Sequence, residues 1–220
     1  ARAEMNSEFG LPRTAIVTGG ARRIGAALVR ALAADGWHVA IHCNTSRDEA
    51  DALCAELRAA GQGAHVIVAD LADAGSAAQI VAQAQVDAPP LGMLVNNASR
   101  FDYDTISDFD VSGWDRHLDV NLRAPALLTQ AFAAALPDGL SGLIVNLLDV
   151  KLYSLNPDYF SYTISKFGLL GLTELSARAL APRIRVAGIA PAVTMVSGPQ
   201  SRENFAAAHV HNPLARGVTV

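Results

Sequence analysis

Short apolar runs alternate with longer helical patterns along almost the whole chain, and this alternation limits the possible folds more than any other feature. Six of these runs are predicted to be strands: Thr14–Thr18, Val39–His42, His65–Ala69, Met93–Val95, Leu143–Leu148 and Ile184–Ile189. The runs are almost entirely apolar, as expected for strands buried on both faces, and the segments between them are long enough for crossover helices. The sequence therefore predicts an α/β fold, a Rossmann-type doubly wound parallel sheet with helices on both faces, in a single domain.

The second helix has the clearest predicted start. Ser46 and Glu49 have the spacing of a capping box, and Gly61 is expected to end the helix. Its apolar residues recur at helical intervals: Ala50, Leu53, Cys54 and Leu57. We expect these four side chains to face the core.

Composition excludes several classes of partner. A hydrophobic content of 51% in 220 residues is enough for one large core without a metal or disulfide. The formal net charge of −4 argues against nucleic acid or anionic membrane as the main partner. Cys43 and Cys54 have no CxxC motif and no histidines at ligand spacing, so we expect buried thiols and no metal. Without a long apolar run or a leader pattern, a cytoplasmic location is expected.

A glycine-rich turn directly follows the first strand and leads into a helical pattern. The turn is Thr18–Gly25, with the sequence TGGARRIG. Glycines let the backbone turn tightly and approach a pyrophosphate, whose charge then faces the amide groups at the helix N-terminus. The turn predicts a dinucleotide site, although a plain strand-to-helix turn is the alternative.

The end of the second strand favours NADPH over NADH. A carboxylate at this position would accept the ribose hydroxyls of NAD and repel the additional phosphate of NADP. Residues 42–47 read HCNTSR and contain no acid. We expect short polar side chains and two arginines to surround that phosphate: Asn44, Thr45, Ser46, Arg22 and Arg47. The alternative, in which these residues only end a strand and cap a helix, is compatible with the first.

Tyr162 and Lys166 are four residues apart and therefore share one face of a predicted helix. A nearby ammonium stabilises a phenolate, so we expect Lys166 to lower the pKa of Tyr162 and make it an acid-base group. The chain has 15 arginines and only two lysines, Lys151 and Lys166. An ammonium was thus kept at a position where guanidinium is the more common cation of this chain.

Together these motifs resemble the short-chain dehydrogenase/reductase family. The glycine turn resembles the TGxxxGxG signature with Arg23 in place of the middle glycine, residues 96–99 (NNAS) resemble the NNAG turn, and Tyr162 and Lys166 resemble YxxxK. The resemblance covers about residues 11–198. It implies a reductase with a nicotinamide cofactor, a small-molecule substrate and a homotetrameric assembly.

The resemblance also extends the set of residues expected to bind the cofactor. It implies that an aspartate after the third strand contacts adenine and that Pro191 begins a ligand-facing loop, although the family's Pro-Gly is Pro191-Ala192 here. The full expected set is Gly19, Arg22, Arg23, Ile24, Gly25, His42, Asn44, Thr45, Ser46, Asp70, Leu71, Asn97, Ala98, Ser99, Tyr162, Lys166 and Pro191.

Three residues resemble the pteridine reductases within this family. The resemblance implies that Arg23 reaches cofactor phosphate and substrate, and that Phe101 stacks a flat pterin against the nicotinamide. Asp149 occupies the position where most family members have a serine that donates to a substrate carbonyl. A carboxylate would repel a developing alkoxide but suits protonatable ring nitrogens. The expected substrate-binding residues are therefore Arg23, Phe101, Asp149 and Tyr162.

The expected catalytic residues are Asp149, Tyr162, Lys166 and Asn121, the last matching a helix asparagine that helps to hold a water linked to the lysine. The prediction is an NADPH-dependent pteridine reductase. A carbonyl reductase, in which Asp149 only caps a loop, is the main alternative. A protein that senses NADPH without turnover ranks last, because Asn121, Tyr162 and Lys166 are all present.

The two ends of the chain are expected to differ from the family. Residues 1–10 have no periodicity, so we expect them to be disordered and place the domain at residues 11–220. The resemblance implies a further helix and a tetramer-supporting strand beyond the position of Val220, so we expect either that the chain has been cut at that point or that a disordered tail follows it.

Overall fold

The computed structural model describes residues 13–192. Its six strands are β1 (Thr14–Val17), β2 (His38–Cys43), β3 (Ala64–Val68), β4 (Leu91–Asn96), β5 (Gly142–Leu147) and β6 (Ile184–Ile189). All neighbouring strands pair in parallel, in the order β3-β2-β1-β4-β5-β6. The predicted strands, doubly wound topology and Rossmann-type fold are confirmed.

Helices connect the strands on both faces of the sheet. They are α1 (Arg23–Ala34), α2 (Arg47–Ala59), α3 (Ser76–Gln83), α4 (Val111–Leu118), α5 (Ala124–Ala135) and α6 (Phe160–Leu180). A π-helical turn, Asp119–Arg123, joins α4 to α5, and a short 3₁₀ turn, Val150–Leu152, follows β5. The chain leaves β1 for β2 on one side and β4 lies on the other, so the strand order reverses at β1 and a crevice opens at the carboxyl ends of the strands.

The sheet separates two apolar cores. Alternate side chains of β1 point to opposite faces, so Val17 packs in the cluster that contains Val29 of α1, whereas Ile16 packs in the cluster that contains Leu128 and Phe132 of α5. All five side chains are inaccessible to solvent. Burial of this kind on both faces explains why the strands are almost entirely apolar.

Helix α2 confirms the predicted core face but not the predicted cap. Ala50, Leu53, Cys54 and Leu57 are its buried residues, and both cysteines are buried free thiols. Ser46 is the N-cap residue, yet its side chain makes no capping hydrogen bond. Instead of reaching back to Ser46, the Glu49 carboxylate accepts a hydrogen bond from Arg22 Nη1 at 3.4 Å. The capping box was therefore wrong, since an arginine of the glycine turn engages its carboxylate.

The predictions for residues 1–10, for residues 193–200 of the loop after β6 and for the end of the chain lie outside the described residues. Within 13–192, no helix is both long and apolar enough to cross a bilayer. The same residues contain no group of three or more histidine, cysteine or acidic side chains that could hold a metal ion.

Candidate active site

A cleft of about 1080 Å³ lies at the carboxyl ends of the strands. Its wall includes all seventeen residues that the sequence assigned to the cofactor, and also Phe101 and Asp149. Asn121 and Arg47 are not part of the wall. The structure therefore brings the predicted cofactor and substrate residues together, with Asn121 behind the cleft and Arg47 away from it.

The glycine turn is fixed by the turn that follows β4. Thr18 Oγ1 accepts hydrogen bonds from the backbone amides of Asn97 and Ala98, both at 3.0 Å, and Asn97 Nδ2 donates to the Thr18 carbonyl at 2.8 Å. A Cβ atom on Gly25 would lie 2.1 Å from the Gly19 carbonyl oxygen, so no larger residue fits without moving the turn. The asparagine that was expected to contact cofactor thus also holds the loop that would bind it.

Arg23 adopts a backbone conformation that explains the glycine of the family signature. Its φ is +52°, in the left-handed region where a non-glycine residue is strained. Arg23 is also the first residue of α1, and its side chain lines the cleft. Strained residues of this kind cluster at ligand sites, where the surrounding structure holds them in place.

His42 supports the glycine turn from behind. Its side chain is 1% exposed. Nδ1 accepts a hydrogen bond from the Gly19 amide at 3.2 Å, and Nε2 donates to the Ala69 carbonyl at 3.1 Å. Burial lowers the pKa of His42 to about 4, so the ring is neutral at pH 7. The ring therefore joins the glycine turn, β2 and the segment after β3.

At the end of β2, the two arginines differ. Arg22 lines the cleft and lies 3.4 Å from Glu49. The Arg47 guanidinium instead forms an ion pair with Asp51 at 3.2 Å, one helical turn along α2. The expectation that Arg47 surrounds the cofactor phosphate is therefore not met, because its own helix supplies a closer partner.

Asp149 and Tyr162 both line the cleft and form a direct hydrogen-bonded pair. Tyr162 Oη donates to Asp149 Oδ2 at 2.6 Å, and Asp149 Oδ1 accepts from the Lys151 amide at 2.8 Å. Tyr162 is 4% exposed. Burial raises its pKa far above the usual value, and the negative charge of Asp149 raises it further.

Lys166 does not lower the pKa of Tyr162 as expected. Its Nζ donates to the Leu147 carbonyl at 2.7 Å and lies 5.6 Å from the centroid of the Tyr162 ring. The phenol has a carboxylate as its hydrogen-bond partner, and that favours the neutral form of tyrosine. Burial also lowers the pKa of Lys166 to about 8, although Asp149 opposes this shift.

Asn121 lies in the π-helical turn, a geometry that often accompanies functional sites. Its side chain accepts from the Arg100 amide at 2.8 Å and donates to the Arg100 carbonyl at 3.0 Å. It also donates to Ser165 Oγ of α6 at 3.0 Å. In this structure Asn121 ties the loop after β4 to the helix that carries Tyr162 and Lys166.

Phe101 lies against two tyrosines. Its ring stacks on Tyr159, with centroids 4.1 Å apart and planes at 9°, and meets Tyr162 edge-on at 4.6 Å. At most one face of Phe101 is therefore open to a flat ligand. Sequence reasoning gave Tyr159 no role, yet it precedes α6 with a left-handed φ of +56° and lines the cleft.

Lys151 was also missed as a site residue. Its Nζ donates to Asn156 Oδ1 and to the Asp158 carbonyl and lies 5.6 Å from the centroid of Tyr159. The side chain therefore holds the segment that leads to Tyr159. Lysine usage was the available signal, because both lysines of this arginine-rich chain line the cleft.

Comparison with known proteins gives one family. A profile of short chain dehydrogenases matches residues 13–205. Curated relatives include the probable galactose dehydrogenase GalD of Rhizobium meliloti strain 1021, which is 35% identical over 81% of this chain and 70% of its own length. The 3-oxoacyl-[acyl-carrier-protein] reductase FabG of Staphylococcus epidermidis strain RP62A is 31% identical over 81% of this chain and 74% of its own.

Two crystal structures are more similar in sequence. FolM alternative dihydrofolate reductase 1 from Brucella canis, complexed with NADP, is 42% identical with a TM-score of 0.91, covering 100% of this chain and 84% of that one. The Brucella suis protein of the same name, also with NADP, is 44% identical with a TM-score of 0.90, covering 94% and 83%.

Proposed function

The chain belongs to the short-chain dehydrogenase family of oxidoreductases, and from this premise we propose that it is an NADPH-dependent reductase of pteridines, of the dihydropterin or dihydrofolate type. The observation that carries this proposal is the 2.6 Å hydrogen bond from Tyr162 to Asp149. A carboxylate beside the phenol would repel an oxygen that gains negative charge, whereas it can accept a hydrogen bond from a ring N–H group and can relay a proton from Tyr162 to a basic ring nitrogen.

The Brucella proteins give independent support for the substrate class. Both are named alternative dihydrofolate reductases and were solved with NADP, and both are more than 40% identical to this chain. Dihydrofolate contains a pterin ring, which is flat and carries several nitrogens. Such a ring can stack on the face of Phe101 that Tyr159 leaves free, in a slot beside Tyr162.

The residues at the other end of the cleft fit NADP(H). Gly25 lets the glycine turn pack closely, because a Cβ atom there would clash with the Gly19 carbonyl oxygen, and the first turn of α1 begins at this point with free amides that suit a phosphate. Residues 44–47, directly after β2, contain no acid, and Asn44, Thr45 and Ser46 line the cleft together with Arg22. Bound NADPH would supply a hydride to the substrate ring.

The protein side chains would supply and control the proton. Burial and the Asp149 charge raise the pKa of Tyr162, so its phenol is protonated at neutral pH. The phenol then holds the proton that would pass, through the hydrogen bond to Asp149, to a ring nitrogen. Asp149 holds the phenol oxygen and can accept an N–H group of the substrate. The ammonium of Lys166 offsets the negative charge that remains on Tyr162 once its proton has left.

The second candidate is reduction of carbonyl compounds. The names of the curated relatives favour it, because GalD is a probable galactose dehydrogenase and FabG a 3-oxoacyl reductase. In that case Asp149 would cap the turn that follows it through its bond to the Lys151 amide. The two candidates differ in what Asp149 contacts.

An NADPH-oxidation assay separates the candidates. The panel contains dihydrobiopterin, dihydromonapterin, dihydrofolate and a set of sugar, steroid and acyl ketones. We expect turnover with at least one pteridine and little with the ketones. Efficient reduction of a ketone with no reduction of any pteridine would refute the proposal.

A further inference from the structure

A chain of buried hydrogen bonds joins the loop after β4 to the first turn of α6. The Asp102 amide donates to His117 Nε2 at 3.1 Å, and His117 Nδ1 lies 2.6 Å from Ser161 Oγ. Ser161 Oγ in turn donates to Asp104 Oδ2. The side chains of His117 and Ser161 are 1% and 0% exposed, and neither lines the cleft.

The backbone amide of Asp102 determines the tautomer of His117. Since an amide can only donate, Nε2 must be the acceptor, and the proton of the neutral ring is on Nδ1. Nδ1 then donates to Ser161 Oγ, which leaves the Ser161 hydroxyl proton for the Asp104 carboxylate. Only one arrangement of protons gives every group in this hydrogen-bond network a partner, so the network is ordered.

The network joins two residues of the proposed substrate slot. Asp102 directly follows Phe101, and Ser161 directly precedes Tyr162. Asp104 adds two more links, because it accepts from the Ser161 amide at 3.1 Å and its carbonyl accepts from the Phe160 amide at 3.1 Å. The Phe101 and Tyr162 rings meet edge to face with centroids 4.6 Å apart.

We infer that His117 is a positioning residue for the substrate: through Asp102 and Ser161 it sets the placement of Phe101 relative to Tyr162, and thereby the geometry of the slot. The inference rests on the proposed function in one respect, that a flat substrate binds against Phe101 beside Tyr162. His117 itself touches neither substrate nor cofactor in this account. Its effect should appear mainly in the KM of the substrate.

The same geometry makes the slot sensitive to acid. A protonated His117 would carry an N–H group at Nε2, opposite the Asp102 amide, and two donors cannot share a hydrogen bond. Burial lowers the pKa of His117; the Asp104 and Asp102 carboxylates oppose this shift, and Arg100 and Arg116 reinforce it. Among residues 13–192, the other aromatic ring against it is that of Tyr162, with centroids 6.3 Å apart. The loop is therefore held at neutral pH and released as the pH falls through the pKa of His117.

The test compares wild type with His117→Phe and His117→Gln at saturating NADPH. Phe keeps the ring but neither hydrogen bond, so we expect the substrate KM to rise about tenfold at pH 7, with the Kd of NADPH unchanged within about twofold. Gln can still accept from the Asp102 amide but does not titrate. The substrate KM should rise in acid for wild type and stay nearly constant with pH for His117→Gln.

A second readout does not depend on the substrate. Hydrogen exchange of the Asp102 amide should be at least about tenfold faster in His117→Phe, because its acceptor is lost. If wild type reduces only a ketone, the proposed function fails, but this exchange measurement and the KM of that ketone still test the role of His117. If His117→Phe does not fold, Ser161→Ala removes the partner of His117 Nδ1 that fixes the ring, and it should raise the substrate KM in the same direction.

The control is His65→Gln. His65 lies near the start of β3, bonds His38 at 2.8 Å and does not line the cleft. We expect its substrate KM and pH profile to match wild type. A folded His117→Phe with a wild-type KM and a protected Asp102 amide would overturn the inference, as would an acid rise in KM that persists in His117→Gln.

Discussion

The two ends of the cleft, the cofactor half and the substrate half, are lined by different kinds of chemical group. The cofactor half, formed by the glycine turn and the segments after β2, β3 and β4, consists largely of backbone groups, glycines and short polar side chains. The substrate half consists of long side chains from three segments: Phe101, Asp149, Lys151, Tyr159 and Tyr162. The cofactor half therefore depends mainly on the path of the backbone, whereas the substrate half depends on particular side chains.

Each half nevertheless depends on one buried neutral histidine that touches a backbone amide. His42 accepts from the Gly19 amide, and His117 accepts from the Asp102 amide. Both rings have lowered pKa values, since burial disfavours their charged forms. The comparison teaches that binding residues in this protein are held by buried polar side chains, and that each half should fail independently of the other.

The largest expected effect is on kcat, which reports the chemical step. Tyr162→Phe keeps the ring that packs against Phe101 but removes the proton donor, so we expect kcat to fall by roughly 10²-fold or more. The Kd of NADPH, measured by its fluorescence, should stay close to the wild-type value. A variant with near-normal kcat would show that Tyr162 does not transfer the proton.

A smaller effect is expected for the cofactor half. Gly25→Ala places a Cβ atom against the Gly19 carbonyl at 2.1 Å, so the turn must move. We expect NADPH to bind about tenfold more weakly, a loss of about 1.4 kcal/mol. Gly171→Ala is the matched control, because nothing lies within 4 Å of a Cβ atom at that position in α6. Equal NADPH binding in both variants would contradict the assigned role of the turn.

For the substrate half, Lys151→Met should raise the KM of the substrate by about fivefold, since two hydrogen bonds to the segment before Tyr159 are lost. NADPH binding should not change. Lys151→Arg keeps the charge but not the compact donor geometry of the ammonium, so its substrate KM should lie between those of wild type and Lys151→Met. The substrate KM is measured by steady-state kinetics at saturating NADPH. A change confined to the affinity for NADPH would contradict the prediction, because it would place Lys151 in the cofactor half.

The smallest effect separates two arginines at the end of β2. Arg22→Ala should weaken NADPH by about threefold relative to NADH, because an exposed charge at the cleft contributes under about 1 kcal/mol. Arg47→Ala should leave the ratio of the two Kd values unchanged, since Arg47 pairs with Asp51 outside the cleft. If Arg47→Ala lowers the preference for NADPH more than Arg22→Ala does, Arg47 and not Arg22 is the arginine that contacts the additional phosphate.

The sequence predicted the cofactor half far better than the substrate half. Glycines and buried strands follow local rules, so the turn at residues 18–25 and the six strands could be found from short segments. Tyr159, Lys151 and His117 act through contacts with residues that are distant in the sequence or in irregular loops. His117 and Ser161, for example, are 44 positions apart. Local patterns carry no information on such contacts.

The direction of the pKa shift of Tyr162 was predicted wrongly for a related reason. The four-residue spacing to Lys166 is a property of the helix and was correctly predicted, but the Lys166 ammonium binds a carbonyl of β5. Likewise, the capping box at Ser46 had the right residues, yet Arg22 from the preceding turn engages Glu49. In both places tertiary contacts changed the outcome that local spacing suggested.

The central claim, that Asp149 makes this enzyme a reductase of pteridines, is tested most directly by Asp149→Ser. The kcat/KM of wild type and variant is measured with NADPH for the best dihydropterin and for the best ketone. We expect the variant to lose roughly 10²-fold with the dihydropterin, because serine cannot replace a carboxyl group in proton transfer, and to keep or gain ketone reduction. A wild type that reduces ketones efficiently and ignores every pteridine, together with a harmless Asp149→Ser, would contradict the account.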